Sequence, residues 1–362
     1  MQTLPLTVRR SIELIGLVTL GFVIIQGQQI IMPLLMAFFI SIVLLPIYRF
    51  LKRKKFPNTL AIFLSLLVMV ILTALIIFFI SSQMKPVLND FPTIKQNIMK
   101  HINAFSAWFS EKTGVSVDQQ NDLMNKQSEK VLDSAGNVLG GAAGSVGSTL
   151  IFFGLLPIYT FLILYYKDIL VKFIFLWFPQ KNHSKVQEVI QETESIIKSY
   201  LVGLLIQITY ITVLLGGSLL IIGIKHALLI GIIFAILNLI PYIGALFGNI
   251  IGVLLTLSSS QEFGPVITVL VTIAVVQFLD NNILMPRIVG GKVRINALSS
   301  LAGVFVGGAL AGIPGMFLSL PLIAVFKIIF DRSEKFKQWG VLFGDELPQN
   351  KKLKKKVKQA ES

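Results

Sequence analysis

The residues best suited to chemistry stand together at the end of a hydrophobic run. Residues 264–276 are mostly apolar, and they lead into Gln277, Asp280, Asn281 and Asn282. A carboxylate and amides are costly in hydrocarbon, so within membrane segments they normally face a partner or a polar path. These residue types predict that Asp280 exchanges a proton or contacts a cation, while the amides hold a polar substrate.

A structural interpretation of the same residues is also open. Asp280 can cap a helix or pair with Arg287, and so merely hold two segments together. The functional interpretation is favoured, because a structural pair does not need three amides beside it.

The composition places the chain among membrane proteins. Of its 362 residues, 54% are hydrophobic and 14% are charged, whereas a soluble domain usually carries about 25% charged residues. Several apolar runs of about 18 residues or more are long enough to cross a bilayer as helices. We therefore predict an all-α, polytopic integral membrane protein.

The residue inventory argues against several enzyme classes. The sequence has no cysteine and only three histidines, which lie far apart at 101, 183 and 226, so a thiol nucleophile, a disulfide or a zinc centre is not expected. It also has no phosphate-binding loop and no nucleophile–base motif. We therefore predict no enzyme activity, no catalytic residue, no metal site and no cofactor.

Basic residues indicate the orientation in the membrane. The net charge is +14, and much of it lies in residues 49–55 and 351–358. Basic runs beside membrane spans usually face the cytoplasmic leaflet, so we prefer this explanation to nucleic-acid binding. Together with Arg9 and Arg10, these runs predict a multi-pass protein with both termini in the cytoplasm.

Hydrophobic segments divide the chain into five predicted regions. Six segments are expected to cross the bilayer, namely 11–26, 29–48, 57–81, 148–166, 201–223 and 265–283, and two more, 226–257 and 296–330, are long but interrupted. The regions are the N-terminal spans (1–82), an extracytoplasmic insertion (83–147), a fourth span with a cytoplasmic surface helix (148–200), a core (201–330) and a basic cytoplasmic tail (331–362).

The insertion is predicted to be a small helical hairpin. Apolar residues recur at three- or four-residue spacing between positions 94 and 109, which is typical of an amphipathic helix. Gly114 is expected to end this helix, and a second helix is expected at about 117–139. A connector that packs on the spans is favoured over a ligand-binding domain.

Proline and glycine interrupt the two long segments. Each interruption predicts a helix break, because Pro removes a backbone donor and Gly relaxes the backbone. Asn238, at the first break, is a candidate for the ion or substrate path, although a kink with a buried Asn hydrogen bond fits equally well. The glycines of the second break are expected to allow close helix packing. The residues at the two breaks are Pro241, Tyr242 and Gly244, and Gly307, Gly308, Gly312, Pro314 and Gly315.

Two topologies fit the interrupted segments. If both segments cross the bilayer, the protein has eight spans and the basic loop 286–298 lies outside. If each is a re-entrant hairpin, each leg of about 15 residues rises about 22 Å, which is too short to cross about 30 Å of hydrocarbon. The hairpins are favoured because the basic loop then lies in the cytoplasm. They also make 201–257 and 265–330 an inverted repeat.

Three motifs follow one another along the core in a recognisable order. They are Pro241, Tyr242, Ile243 and Gly244; then Gln277, Asn282, Pro286 and Gly290; then Gly307, Gly308, Gly312, Gly315 and Pro321. This pattern resembles the autoinducer-2 exporter family of bacterial membrane proteins. Two positions depart from it, because Asp280 stands where the family usually has Glu, and Ala297 where it usually has Pro.

The resemblance implies a transporter of the bacterial inner membrane. The family is associated with export of a quorum-sensing signal, and some members resemble sodium–proton antiporters. No ATP-binding signature is present, so an ion gradient is expected to drive export of a small polar solute, with Asp280 as the coupling or substrate group. A sodium(lithium)/proton antiporter and a non-transporting membrane scaffold are the alternatives. The expected partners are the lipid bilayer, the solute or a monovalent cation or proton, and other copies in a homo-oligomer, but no nucleic acid.

Overall fold

The computed structural model describes residues 5–89, 91–113, 146–260, 262–288, 295–334 and 336–345. Nearly all of these residues lie in helices, which confirms the all-α prediction. The α-helices are α1 (Leu6–Arg53), α2 (Asn58–Asn89), α3 (Phe91–Thr113), α4 (Val146–Tyr165), α5 (Lys167–Leu176), α6 (His183–Ile211), α7 (Gly217–Ile222), α8 (Ala227–Leu237), α9 (Ile243–Ser259), α10 (Gly264–Leu279), α11 (Met285–Ile288), α12 (Ala297–Asp331) and α13 (Lys337–Phe343). A 3₁₀ turn spans Gln180–Asn182, and two π-helical turns span Thr212–Gly216 and Asp280–Leu284.

Five apolar stretches in the described part of the chain are long enough to cross a membrane. They are Ser11–Arg53, Asn58–Gln83, Gln180–Ile222, Gly264–Leu284 and Ala297–Asp331. Shorter apolar helices are Gly154–Tyr165, Ala227–Leu237 and Ile243–Leu257. The chain is therefore a polytopic helical membrane protein, as its composition predicts.

Two predicted element boundaries are wrong. The spans expected at 11–26 and 29–48 form one continuous helix, α1, because the polar residues between them are three glutamines and one glycine. Glutamine is a good helix former, and one glycine costs only about 1 kcal/mol. The surface helix expected at 183–200 likewise continues without a break into the next span, as α6.

The helices form two compact units. The first unit comprises Met1–Met32, Tyr166–Leu201 and Val289–Ser362, and the second comprises Pro33–Tyr165 and Val202–Ile288. The largest buried apolar cluster lies in the second unit and joins the end of α6 to α7, α8, α9 and α10. Its members are Ile211, Leu215, Leu219, Ile224, Ala227, Leu229, Ile230, Ile232, Phe234, Ala235, Leu255, Val269, Ile273 and Val276.

The first interrupted segment is a helical hairpin within the second unit. Its legs are α8, with 11 residues, and α9, with 17 residues. A Cβ added at Gly248 would lie only 2.5 Å from the ring of Phe234, which shows that the two legs pack closely. The leg α8 also packs on the first π-turn, where a Cβ at Gly231 would lie 2.7 Å from the Gly216 backbone. The predicted break is confirmed.

The second interrupted segment also folds back on itself, within the first unit. Helix α12 loses helical geometry at Ala311 and at Gly312, whose φ is 61°. A Cβ at Gly307 would lie 2.4 Å from the Gly315 carbonyl oxygen, and one at Gly303 would meet the side chain of Ile323. Residues 303 and 323 cannot touch in a straight helix, since 20 residues of helix rise about 30 Å. The second predicted break is therefore confirmed as well.

Asn296 fixes the start of this second hairpin. Its side chain accepts a hydrogen bond from the Ser299 amide at 2.8 Å, which caps α12. The same side chain donates to the carbonyl oxygens of Leu342 and Gly344 at 2.6 and 2.9 Å, so it also holds the end of α13. The Asn296 backbone amide also donates to the Phe343 carbonyl oxygen at 3.1 Å, so this residue joins the start of α12 to the end of α13 through both its side chain and its backbone.

The insertion is described only in its first helix. Helix α3 packs on α9, with His101 Nε2 3.1 Å from the Ser260 carbonyl oxygen and the His101 ring edge-on to Phe263. The second helix expected at 117–139 lies outside the described residues, as do the basic run of the tail at 351–358 and residues 289–294 of the loop 286–298.

Candidate functional site

The candidate site is a buried carboxylate with three hydrogen-bond donors. Asp280 is 2% exposed at the end of α10. Its Oδ2 accepts from Gln207 Nε2 at 2.9 Å and from Asn238 Nδ2 at 3.0 Å. Its Oδ1 accepts from the hydroxyl of Tyr210. One helix, α6, supplies Gln207 and Tyr210, while the hairpin turn supplies Asn238, so three chain segments converge on one carboxylate.

Neutral groups surround this carboxylate. An unpaired buried charge is strongly destabilising unless hydrogen bonds compensate it, and bonds to a charged acceptor are about twice as strong as neutral ones. No ion pair joins Asp280 to a basic residue in the described ranges, and Arg287 is exposed. The predicted structural pair between these two residues is therefore absent. No group of three His, Asp or Glu side chains in those ranges is placed to hold a metal ion.

The surrounding bundle is otherwise almost free of charge. Between residues 202 and 288, the only charged side chains besides Asp280 are Lys225, Glu262 and Arg287. All three are exposed, whereas Asp280 is buried. A single carboxylate in an apolar bundle is a costly arrangement, and such residues commonly mark ion or substrate pathways.

Two π-helical turns accompany the site. The first, Thr212–Gly216, begins two residues after Tyr210, and the second, Asp280–Leu284, begins with the carboxylate residue itself. A π-turn inserts one extra residue into the helix and rotates the side chains that follow, and such turns occur frequently at functional sites. Both helices that meet at the carboxylate are thus locally distorted there.

The hairpin turn holds Asn238 in place. Asn238 ends α8, and the chain then turns through Tyr242, which has a φ of 70°, a value that non-glycine residues rarely adopt. Gly244 closes the turn so tightly that a Cβ there would lie 2.4 Å from the Cα and 2.7 Å from the Oδ1 of Asn238. Only glycine fits this position without displacing the amide that binds Asp280.

The structure brings together only part of the predicted polar set. Asp280 and Asn238 are in contact, and Gln277 is half-buried one turn before the carboxylate. Asn281 and Asn282 are exposed, and the Asn282 amide donates to the Phe278 carbonyl oxygen of its own helix at 2.9 Å. Asp280 has hydrogen bonds with Asn238 but with neither of the two amides that follow it, and the assignment of Asn281 and Asn282 to a substrate or ion path stays a prediction.

The predicted structural motif residues fall in both units. Pro241, Tyr242 and Gly244 form the turn of the first hairpin, while Pro286 and Arg287 lie in the short helix α11. The glycines Gly307, Gly308, Gly312 and Gly315 and the proline Pro314 lie at the fold-back of α12, and Gly290 lies outside the described residues.

Two site residues are not predicted from the sequence. Gln207 stands out only as an isolated polar residue in a span, and Tyr210 is not singled out at all. The two residues are three positions apart, so they lie on the same face of α6. This spacing identifies them once that face is known to lie beside Asp280. Their contacts with Asp280 cross 73 and 70 residues of chain.

Comparison with known proteins agrees with this architecture. The profile of the AI-2E family transporters matches residues 14–335, which is most of the chain. The chain belongs to the AI-2E transporter family. The predicted family membership is therefore confirmed, and the protein is a polytopic membrane transporter by family.

Several relatives match over most of their length. The AI-2 transport protein TqsA of Escherichia coli (strain K12) is 25% identical over 349 residues, covering 94% of this chain and 98% of TqsA. YrrI of Bacillus subtilis (strain 168), named as a candidate transport protein, is 26% identical over 310 residues, covering 83% of this chain and 86% of YrrI. The family match over residues 14–335 includes both hairpins and the carboxylate region.

Replacement of Gly244 by alanine tests how the hairpin turn positions the site. We expect Gly244→Ala to displace Asn238. The variant should lose about 1–3 kcal/mol of unfolding free energy in detergent, as is typical of overpacking, and should melt at a lower temperature. Gly264→Ala is the matched control, because a Cβ at Gly264 meets nothing within 4 Å. Equal melting temperatures for the two variants would contradict the tight turn.

Proposed function

We propose that the protein is an ion-gradient-driven secondary transporter that exports a small polar solute, such as a quorum-sensing signal, from a bacterial cell. The observation that carries the proposal is the carboxylate of Asp280, which is buried in an apolar bundle and whose partners among the described residues are all neutral donors. The name of TqsA, an AI-2 transport protein, supports a signal molecule as the solute class.

The neutral donors make Asp280 suitable as a coupling group. A carboxylate paired with arginine or lysine keeps its charge compensated in every state, so it gains little from binding a proton or cation. The bonds from Gln207 and Asn238 are strongest to the charged form, and protonation or cation binding changes them. Because Asn238 lies in a hairpin turn and Gln207 on a long helix, the charge state of one residue biases the contact between two elements.

A particular membrane placement is part of this proposal. We propose that α8 and α9 form a re-entrant hairpin that opens toward the outside, with both chain termini in the cytoplasm of an inner-membrane protein. Asp280 follows the 16 residues of α10, so it lies about 24 Å along the helix from Gly264. With Gly264 outside, the carboxylate lies in the inner half of a core about 30 Å thick.

The natural chain contains no cysteine. Single cysteines introduced at chosen positions can therefore be labelled to test this placement. Lys225 and Arg287 are both exposed. In intact cells, Lys225→Cys should react with a membrane-impermeant maleimide, while Arg287→Cys should react only after the membrane is opened. Labelling of Arg287→Cys from the outside would refute the re-entrant hairpin and favour eight full spans.

A sodium(lithium)/proton antiporter is the second candidate, and one observation favours it. Gln207 Oε1 is buried and has no hydrogen-bond partner among the described residues. This oxygen lies on the same side chain that binds Asp280, and carbonyl and carboxylate oxygens are suitable ligands for hard monovalent cations. The carboxylate would then alternate between the cation and a proton.

Flux measurements in vesicles separate these candidates. Purified protein is reconstituted and tested with an imposed proton or sodium gradient against a panel of small polar solutes, Na⁺ and Li⁺. We expect Asp280→Asn to abolish gradient-driven flux, because the amide cannot alternate in charge. Glu262→Gln is the control, because it removes the exposed carboxylate of the same bundle and should leave flux unchanged.

Each outcome of this assay has a definite meaning. Solute flux that depends on Asp280 supports the exporter, and cation–proton exchange without solute flux supports the antiporter. Unchanged flux in Asp280→Asn would remove Asp280 as the coupling group. A protein that moves none of the solutes or ions would favour the membrane scaffold.

A further inference from the structure

The three donors on Asp280 differ in whether they can pass on a proton. Gln207 and Asn238 donate from amide nitrogens, which do not give up their protons near neutral pH. The Tyr210 hydroxyl is both a donor and an acceptor. Tyr210 is therefore the only described partner of Asp280 that can transfer one proton while receiving another.

The geometry separates Tyr210 from the amides. Both amides bind Oδ2 of Asp280, while Tyr210 is the one described residue whose side chain binds Oδ1. Asp280 and Gln207 are 2% and 3% exposed, so neither meets bulk water directly. The Tyr210 side chain is half-buried, and its ring packs against the main apolar cluster of the second unit. Tyr210 is thus less buried than the carboxylate to which it donates.

Other titratable groups do not share this position. The helices α7, α8, α9 and α10, which form the bundle around the carboxylate, contain no Asp, Glu, Lys, Arg or His. Lys225, His226 and Glu262 lie in the connecting loops, and Arg287 lies beyond the second π-turn. Within the described residues, Tyr210 is the one titratable side chain in hydrogen-bond contact with Asp280.

We propose that Tyr210 is the proton relay to Asp280, an inference that rests on the proposed role of Asp280 in coupling. In the loading step, the Tyr210 O–H bond breaks as its proton moves to Oδ1. The Tyr210 oxygen then takes a proton from a hydronium ion, which leaves water. The tyrosine is neutral before and after the step, and the carboxylate becomes neutral. Release is the reverse sequence, with water as the final acceptor.

Loading through Tyr210 has a consequence for the hairpin. When Oδ1 carries the proton, the amide bonds to Oδ2 lose their charge-assisted character and weaken. The bond from Asn238 is one of them, so proton arrival at Oδ1 loosens the hairpin turn from the opposite side of the carboxylate. The two oxygens of Asp280 thus have separate tasks: Oδ1 exchanges the proton and Oδ2 holds the structural donors.

Removal of one hydroxyl tests the relay. Tyr210→Phe keeps the packed ring and deletes only the oxygen, whereas Gln207→Leu deletes an amide bond to the same carboxylate but no relay. In vesicles with an internal pH-sensitive dye, we expect Tyr210→Phe to slow proton-coupled flux about 100-fold, the low end of what one positioned proton-transfer group contributes. Gln207→Leu should change the pH dependence but keep the solvent isotope effect of the unmodified protein, which Tyr210→Phe should lose.

Several results would overturn the relay. One is proton-coupled flux in Tyr210→Phe at the wild-type rate and with an intact isotope effect. Another is flux through the unmodified protein that does not slow in D₂O. Melting temperature and elution profile of each variant establish that it is folded. If Asp280→Asn is inactive while Tyr210→Phe behaves as wild type, the relay alone fails; if Asp280→Asn keeps normal flux, the proposed coupling function itself fails.

Discussion

The burial of one carboxylate among neutral donors is the constraint on which the rest of the second unit depends. Asp280 lies in a bundle whose other charged side chains are exposed, so its hydration has to be replaced by hydrogen bonds from the protein. Those bonds come from α6 and from the turn of the α8–α9 hairpin. Any movement of either element relative to α10 therefore changes the stability of the charge, and any change in the charge alters the preferred position of both elements.

Close backbone contacts allow these elements to approach one another. In hydrocarbon the association of helices relies on packing rather than on a hydrophobic driving force, and small residues let the backbones come near. Gly231 lies on Gly216 between α8 and the first π-turn, and Gly244 lies on Asn238 inside the hairpin. In the first unit, Gly307 and Gly315 make the same kind of contact across the fold-back of α12. Glycine therefore sets the geometry of both hairpins, while the turn of the first hairpin also contacts the buried carboxylate through Asn238.

Local signals in the sequence predict the breaks and the central carboxylate, but not the contacts between distant segments. Proline and glycine near 241 and 312 indicate both fold-backs, because their effect on the backbone is local. The importance of Asp280 follows from one charge in an apolar run. Gln207 is recognised only when the end of α6 is known to lie beside Asp280, since Gln207 and Asp280 are 73 positions apart.

The differences between the sequence pattern and the structure also have physical causes. Asn281 and Asn282 are neighbours of Asp280 in sequence, yet the π-turn leaves them exposed. The glutamines between 26 and 29 look like a loop by polarity, but they are good helix formers and α1 continues through them. Polarity alone therefore does not identify a loop or a site in this chain; the packing of the segment decides.

The free energy of coupling between Gln207 and Asp280 tests the central claim most directly. It is obtained from a double-mutant cycle, in which the free energy of unfolding in detergent is measured for the unmodified protein, Gln207→Ala, Asp280→Ala and the double variant. A parallel cycle pairs Gln207 with Gln277, a half-buried amide one turn before Asp280. We expect a coupling of about 1.5–3 kcal/mol for the first pair, as for a hydrogen bond to a charged group, and additive effects for the second pair. Additive effects for Gln207 and Asp280 would contradict the account.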